Sequence, residues 1–208
     1  ANPAQSLFSG DVIHETASFS LTSQPREKLE TKVYFNYNRK DNRSTQITFN
    51  PNAVGANANL QCPQPNGTNG PCVTEVYNYK KNNFGLEGGY RINSDNKLAL
   101  GIDYTNATYE RIDYIRAIDR RYSVEWKNSS IATLDTRAKY QYLDRTSTFV
   151  DTGNFNTYQR RFDLASVRQN LAKVVFDFNP RPLLNTGLEI IYKKDDFKSD
   201  IQTLGRTQ

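Results

Sequence analysis

The sequence predicts an all-β chain: about eight antiparallel up-and-down strands forming part of the wall of a transmembrane β-barrel. Three observations lead there. Apolar and polar residues alternate in steps of two over segment after segment, the segments are long for strands, and the connections between them alternate short and long.

The alternation is clear from the first segment onward. Between Asp11 and Ser23 one face carries Ile13, Ala17, Phe19 and Leu21, and the other carries His14, Thr16, Ser18, Ser20 and Thr22. The second segment sets Leu29, Val33, Phe35 and Tyr37 against Lys28, Glu30, Lys32, Asn36 and Asn38. Phe84, Leu86, Tyr90 and Ile92 then alternate with Asn83, Glu87 and Arg91, and Leu98, Leu100, Ile102 and Tyr104 with Lys97, Asp103 and Thr105. Tyr122, Val124 and Trp126 oppose Ser123, Glu125 and Lys127, while Leu134, Ala138, Tyr140 and Tyr142 oppose Asp135, Arg137, Lys139 and Gln141. The last pair sets Val174, Phe176 and Phe178 against Lys173, Val175 and Asp177, and Leu184, Leu188, Ile190 and Tyr192 against Asn185, Glu189 and Lys193. A strand between two unlike surroundings must read this way, because neighbouring side chains leave on opposite faces.

The connections choose the architecture. Tight polar turns are expected at QPRE near Pro25, NSDN near Ser94, KNSS near Asn128 and NPRP near Pro180. Between them fall a long loop near residues 41–75, a shorter one near Ile115 and another long one near residues 146–170. Short turns at one end and long loops at the other are the outer-membrane pattern, with the short turns periplasmic and the long loops extracellular. A β-sandwich also alternates, but its strands average about five or six residues. Residues 1–208 are therefore read as a single barrel segment in the bacterial outer membrane, in contact with its lipid. Eight strands would leave both chain ends on the long-loop side, so the segment is expected to be a block of hairpins from a larger barrel.

Composition agrees. A mean hydropathy of −0.75 and 37% hydrophobic residues are too polar for an ordinary core of 208 residues. No apolar run reaches the roughly eighteen residues of a membrane helix, a test that barrel strands escape. The net charge of +5 is spread among acids rather than clustered, which argues against nucleic acid as a partner. Cys62 and Cys72 bracket the Pro/Gly/Asn-rich stretch QCPQPNGTNGPC, which could let their sulfurs meet in an oxidising compartment. A disulfide is the first reading and two unpaired loop thiols the alternative.

Little in the chain looks catalytic. His14 is the only histidine and lies on a polar face, so no multi-histidine metal site forms within the segment. Neither CxxCH nor GxSxG, GxxxxGK[ST] or HExxH occurs, so the chain is expected to hold no cofactor and to catalyse no reaction. The interleaved charges have two readings: ion pairs that stiffen a water-filled wall, or a docking surface for a protein threaded through the barrel.

Several strings resemble the decahaem-associated outer-membrane proteins of the MtrB/PioB family. They are YNYKKNNFGLEGGYRINSDNKLALGIDYTNATYERID, EWKNSSIATLDTRAKYQYLDRTS, RRFDLASVRQN and VVFDFNPRPLLNTGLEIIYKKDDF, between Tyr77 and Phe197. Each is weak alone, and their succession carries the likeness. The family's N-terminal CxxC is missing, and the Cys62/Cys72 loop matches no family mark. The resemblance implies a barrel that sheathes a periplasmic multihaem cytochrome and lets it meet an extracellular multihaem cytochrome, with the haem carried by the partners. Under that reading the side chains facing the lumen partner are Lys28, Glu30, Lys32, Glu87, Arg91, Lys97, Asp103, Glu125, Lys127, Arg137, Lys139 and Glu189. A porin or transporter barrel for small solutes is the alternative function, and a structural or adhesive surface barrel a third.

Overall fold

The computed structural model describes residues 9–46, 76–110, 114–149, 165–181 and 183–198, plus the backbone of four two-residue strands. Eight long strands form one antiparallel sheet in chain order. They are β1 (Val12–Arg26), β2 (Leu29–Asn42), β3 (Asn78–Arg91), β4 (Asn96–Glu110), β5 (Tyr114–Ile131), β6 (Leu134–Phe149), β7 (Val167–Arg181) and β8 (Leu184–Phe197). Each strand pairs only with its sequence neighbours, and β1 and β8 are the two edges. Between β2 and β3, Thr48–Phe49 pairs with Cys72–Val73 and Cys62–Pro63 with Asn69–Gly70. The side chains of Cys62 and Cys72, and most of the two expected long loops, lie outside the described residues.

The strands run 14 to 18 residues, longer than the alternation alone suggests. Two proline positions account for much of the difference. Pro25 and Pro180 were expected to sit in turns, but each lies inside a strand where the pairing register shifts, between Ser23 and Arg26 and between Phe178 and Arg181. Proline has no N–H to give to a ladder, and such irregularities are where a sheet tolerates it. The reversals fall beyond them: Arg26 pairs with Leu29 and Arg181 with Leu184, each across two residues. The turn expected at KNSS likewise moves on, with Ile131 paired to Leu134. The NSDN turn is where the sequence puts it, pinned by Asn93 Oδ1, which accepts from the backbone N–H groups of Asp95 (3.1 Å) and Asn96 (2.8 Å).

Ile115, expected in a loop, is part of β5. Arg116 pairs with Thr148 and Tyr114 with Phe149, so β5 carries one residue more than β6. This β-bulge turns Tyr114 onto the polar face. There its ring packs 4.8 Å from that of Tyr109, and its hydroxyl lies 3.3 Å from Ser147 Oγ.

Among the described residues no second layer covers the apolar face. Phe19, Leu21, Leu100, Ile102, Leu188 and Ile190 are all more than half exposed, a band an aqueous surface would not leave bare. Enclosed strand residues, Ala107, Tyr114, Ala117, Leu143, Val167, Thr105 and Asp119, sit on the polar face instead. The sheet is thus apolar where it is open and polar where side chains crowd together, the reverse of a soluble sandwich.

The edge of the apolar band is aromatic and descends across the sheet. On the side away from the two-residue reversals, its outermost residues are Tyr104 on β4, Tyr122 on β5, Tyr142 on β6 and Tyr192 on β8, with the small Ala172 on β7 interrupting the line. Tyr122 pairs with Ile102 and Tyr142, while Tyr192 pairs with Ala172 one outward row lower. Such a line is an aromatic girdle, and its slant is the strand stagger that a barrel wall requires. A strand of about 14 residues at about 3.3 Å each, tilted near 45°, overshoots a band about 25 Å tall, so strand ends emerge from it.

Candidate functional site: the charged face of the sheet

Register places eleven of the twelve sequence-predicted partner contacts on the one polar face, and the twelfth, Lys28, lies in the turn before β2. Lys32 lies opposite Glu87, Asp103 opposite Gly85, and Lys139 opposite Glu125. Arg91, Lys97, Lys127 and Arg137 stand directly abreast on four adjacent strands, and the row ends at Val175 and Glu189. Glu30 heads the next row, and Lys28 lies just before β2, its Nζ donating to the Ile92 carbonyl at 3.4 Å.

Four cations side by side repel, and directly opposed like charges destabilise a sheet. The adjoining acids offset this. Glu30 pairs with Lys97 through a hydrogen bond and with Arg91 at 3.6 Å. Glu125 lies 3.1 Å from Lys127, and Asp177 accepts from Arg137 at 2.8 Å. Higher on the same face, Lys32 and Glu87 are 3.9 Å apart, and Lys173 and Glu189 2.7 Å. Most of these side chains stay a third to half exposed, so each pair contributes only about 0–1 kcal/mol. Their effect is to hold long side chains in place as a surface of mixed sign.

Glycines make room for part of this arrangement. A Cβ on Gly85 would come within 2.0 Å of the Tyr34 ring, which lies across that position. A Cβ on Gly89 would come within 2.8 Å of Lys97 Cε, on the path by which that lysine reaches Glu30. The rigid Tyr34 ring can lie flat along the wall only because Gly85 is bare, whereas the flexible Lys97 could shift around a side chain at position 89.

Further along β3–β6 the face changes character. Asp103 accepts from Tyr34 (2.8 Å) and Asn83 (2.7 Å) and lies 3.6 Å from Arg121. Arg145 grips Asp119 with two hydrogen bonds of 2.7 and 2.8 Å. With Asn83, Asp103, Asp119 and Arg121, the side chains of Asn36, Asn38, Tyr79, Lys81 and Thr105 line a polar groove of about 600 Å³. The sequence reading selected Asp103 here and missed Tyr34, Asp119, Arg121 and Arg145. Asp119 and Arg121 fall before the segment read as the fifth strand, and Tyr34 was missed because a tyrosine on the polar face breaks the binary pattern. His14 lies on this face opposite Lys40.

A family model described as "Putative outer membrane beta-barrel porin, MtrB/PioB" matches residues 1–208, the whole chain. Among solved structures the chain is similar to the outer-membrane expressed OmpT of Vibrio cholerae, with a TM-score of 0.56 at 13% identity, covering 88% of this chain and 46% of that one. That likeness is one of fold, and the chain spans less than half of the OmpT chain. No curated protein matches the sequence. An eight-stranded sheet with a bare apolar band, an aromatic edge and a charged opposite face agrees with both findings: the chain belongs to the MtrB/PioB family of outer-membrane β-barrel porins.

Proposed function

We propose that this chain forms part of an outer-membrane barrel that houses a periplasmic multihaem c-type cytochrome and supports electron transfer to an extracellular cytochrome. The observation that carries the reading is the row Arg91–Lys97–Lys127–Arg137, four cations abreast near the short-turn end of the polar face. A wall that only had to stay hydrated would gain nothing from setting like charges against one another. A protein with an acidic surface entering from that end would meet four cations held in place by only three acids, Glu30, Glu125 and Asp177, and complementary charge of this kind speeds encounter and sets register. The role is architectural: the haem belongs to the partner, and the barrel holds donor and acceptor close while excluding lipid.

The second reading is a porin for small solutes, in keeping with the family's own description and with the polar groove around Asp103 and Arg121. Liposomes containing the full-length barrel, with and without its cytochrome, separate the two. The sheath reading expects electrons to reach an internal acceptor only when the cytochrome is present. A full-length barrel that binds no haem protein and passes sugars freely overturns it in favour of the porin.

A further inference from the structure

The row that begins with Phe19, Phe35, Phe84 and Tyr104 continues on the same face as Arg120, Asp144, Arg168 and Asp196. Its first half belongs to the apolar band. The second half lies just beyond the descending aromatic edge, two residues past Tyr122 and Tyr142. The outward face of β5–β8 therefore carries charge immediately outside the lipid-facing zone, on the side away from the short turns.

Among the described residues the charges there do not balance. Asp144 is approached by three cations: Lys198 Nζ at 2.9 Å, Arg120 Nη1 at 3.9 Å and Arg168 Nε at 3.9 Å. Only the lysine is within hydrogen-bonding distance of the carboxylate. The Arg120 and Arg168 side chains are 45% and 60% exposed against 25% for Asp144, so the carboxylate sits beneath the guanidinium groups that surround it. Lys194 and Asp196, 3.2 Å apart, extend the patch without changing its net charge. Lys198 is fixed at the end of β8 by its own N–H, which donates to the Ser166 carbonyl at 2.9 Å.

We propose that Arg120, Arg168 and Lys198 form a site for the phosphate of a phosphorylated glycolipid in the outer leaflet. Guanidinium forks match a phosphate's oxygens as they match a carboxylate's. Among the described residues one carboxylate for three cations leaves a surplus that an anion can neutralise, and a basic cluster where a spanning segment leaves the hydrocarbon is placed for an anionic headgroup. Continuity with the apolar band selects the occupant, because acyl chains lying against Tyr122, Tyr142 and Tyr192 bring their headgroup to this height. The site faces away from the charged wall of the barrel and does not depend on what the lumen holds.

The test uses the full-length barrel, folded and purified, and measures its binding to vesicles containing phosphorylated lipid A or its dephosphorylated form. The parent protein should bind the phosphorylated form, and the pair Arg120→Gln/Arg168→Gln should weaken that binding on the order of ten-fold or more. Lys40→Gln/Lys81→Gln removes the same charge from the opposite face and should leave binding unchanged. Heat-shifted gel migration verifies folding, and Arg168→Gln alone, at the most exposed of the three positions, serves if the pair does not fold. Equal binding of the two lipid forms, or parental binding by a folded Arg168→Gln variant, overturns the proposal. Full competition by millimolar inorganic phosphate overturns the choice of a lipid as occupant.

Discussion

The Tyr34 phenol lies across the bare Cα of Gly85 and donates a 2.8 Å hydrogen bond to Oδ2 of Asp103, one strand further on. Asp103 also accepts from Asn83, so a single carboxylate ties together side chains from β2, β3 and β4. Gly85→Ala would drive the ring off this seat and break the bond to Asp103. The expected cost is about 1–3 kcal/mol, measured by urea unfolding of the barrel in lipid vesicles. Tyr34→Phe should lose less, since it keeps the ring and gives up only the hydroxyl. If the alanine variant is as stable as the parent, the ring is not held there.

Leu100 lies on the bare apolar face, 58% exposed, with Asp103 on the other. Leu100→Arg is expected to destabilise the folded barrel by about 2–4 kcal/mol if the position is near the membrane midplane, and less near an interface. A cysteine at position 100 should resist aqueous thiol reagents in vesicles, while one at position 103 should react. Equal labelling would reverse the assignment of faces.

The cation row makes a kinetic prediction. Lys127→Glu places an acid between Lys97 and Arg137 and beside Glu125. Assembly with a purified cytochrome, followed by stopped-flow at low ionic strength, should slow by on the order of ten-fold, and the difference should shrink as salt rises. An unchanged rate and unchanged salt slope would detach the row from partner capture.

Sequence and loop chemistry also predict a covalent link between Cys62 and Cys72. Closing a loop of about ten residues stabilises it by roughly 2–3 kcal/mol in the chain-entropy model. Intact mass of the alkylated, unreduced protein should show no added label, and two added labels would establish free thiols.

The strands, their order and the two faces were legible because lipid on one side and water or protein on the other impose a strict period of two. That is why the residues from Glu30 to Glu189 in the expected contact set share one face, while Lys28 falls in the turn before β2. Strand ends were less legible. Pro25 and Pro180 carry strong turn propensity, and only the paired geometry shows them absorbed into register shifts. The bulge at Ile115 left no pattern to read, since one extra residue resets the phase on either side of it. Arg120, Asp144 and Arg168 were missed for a related reason. Charges continuing in phase with an apolar face look like the end of a strand, whereas here the strand goes on and its surroundings change.

The slanting aromatic edge changes how depth along this wall is reckoned. Residues joined across the sheet by hydrogen bonds do not share a level: Phe19 and Asp196 belong to one row, yet one meets acyl chains and the other lies beyond them. Depth-dependent signals, such as quenching of tryptophans introduced on the outer face by bromine-labelled lipids, should therefore sort along the Tyr104–Tyr122–Tyr142–Tyr192 diagonal and scatter when sorted by row. For anyone grafting or shuffling hairpins of this barrel, the interchangeable unit is a diagonal slice: a block cut square along the row would carry its water line to the wrong height.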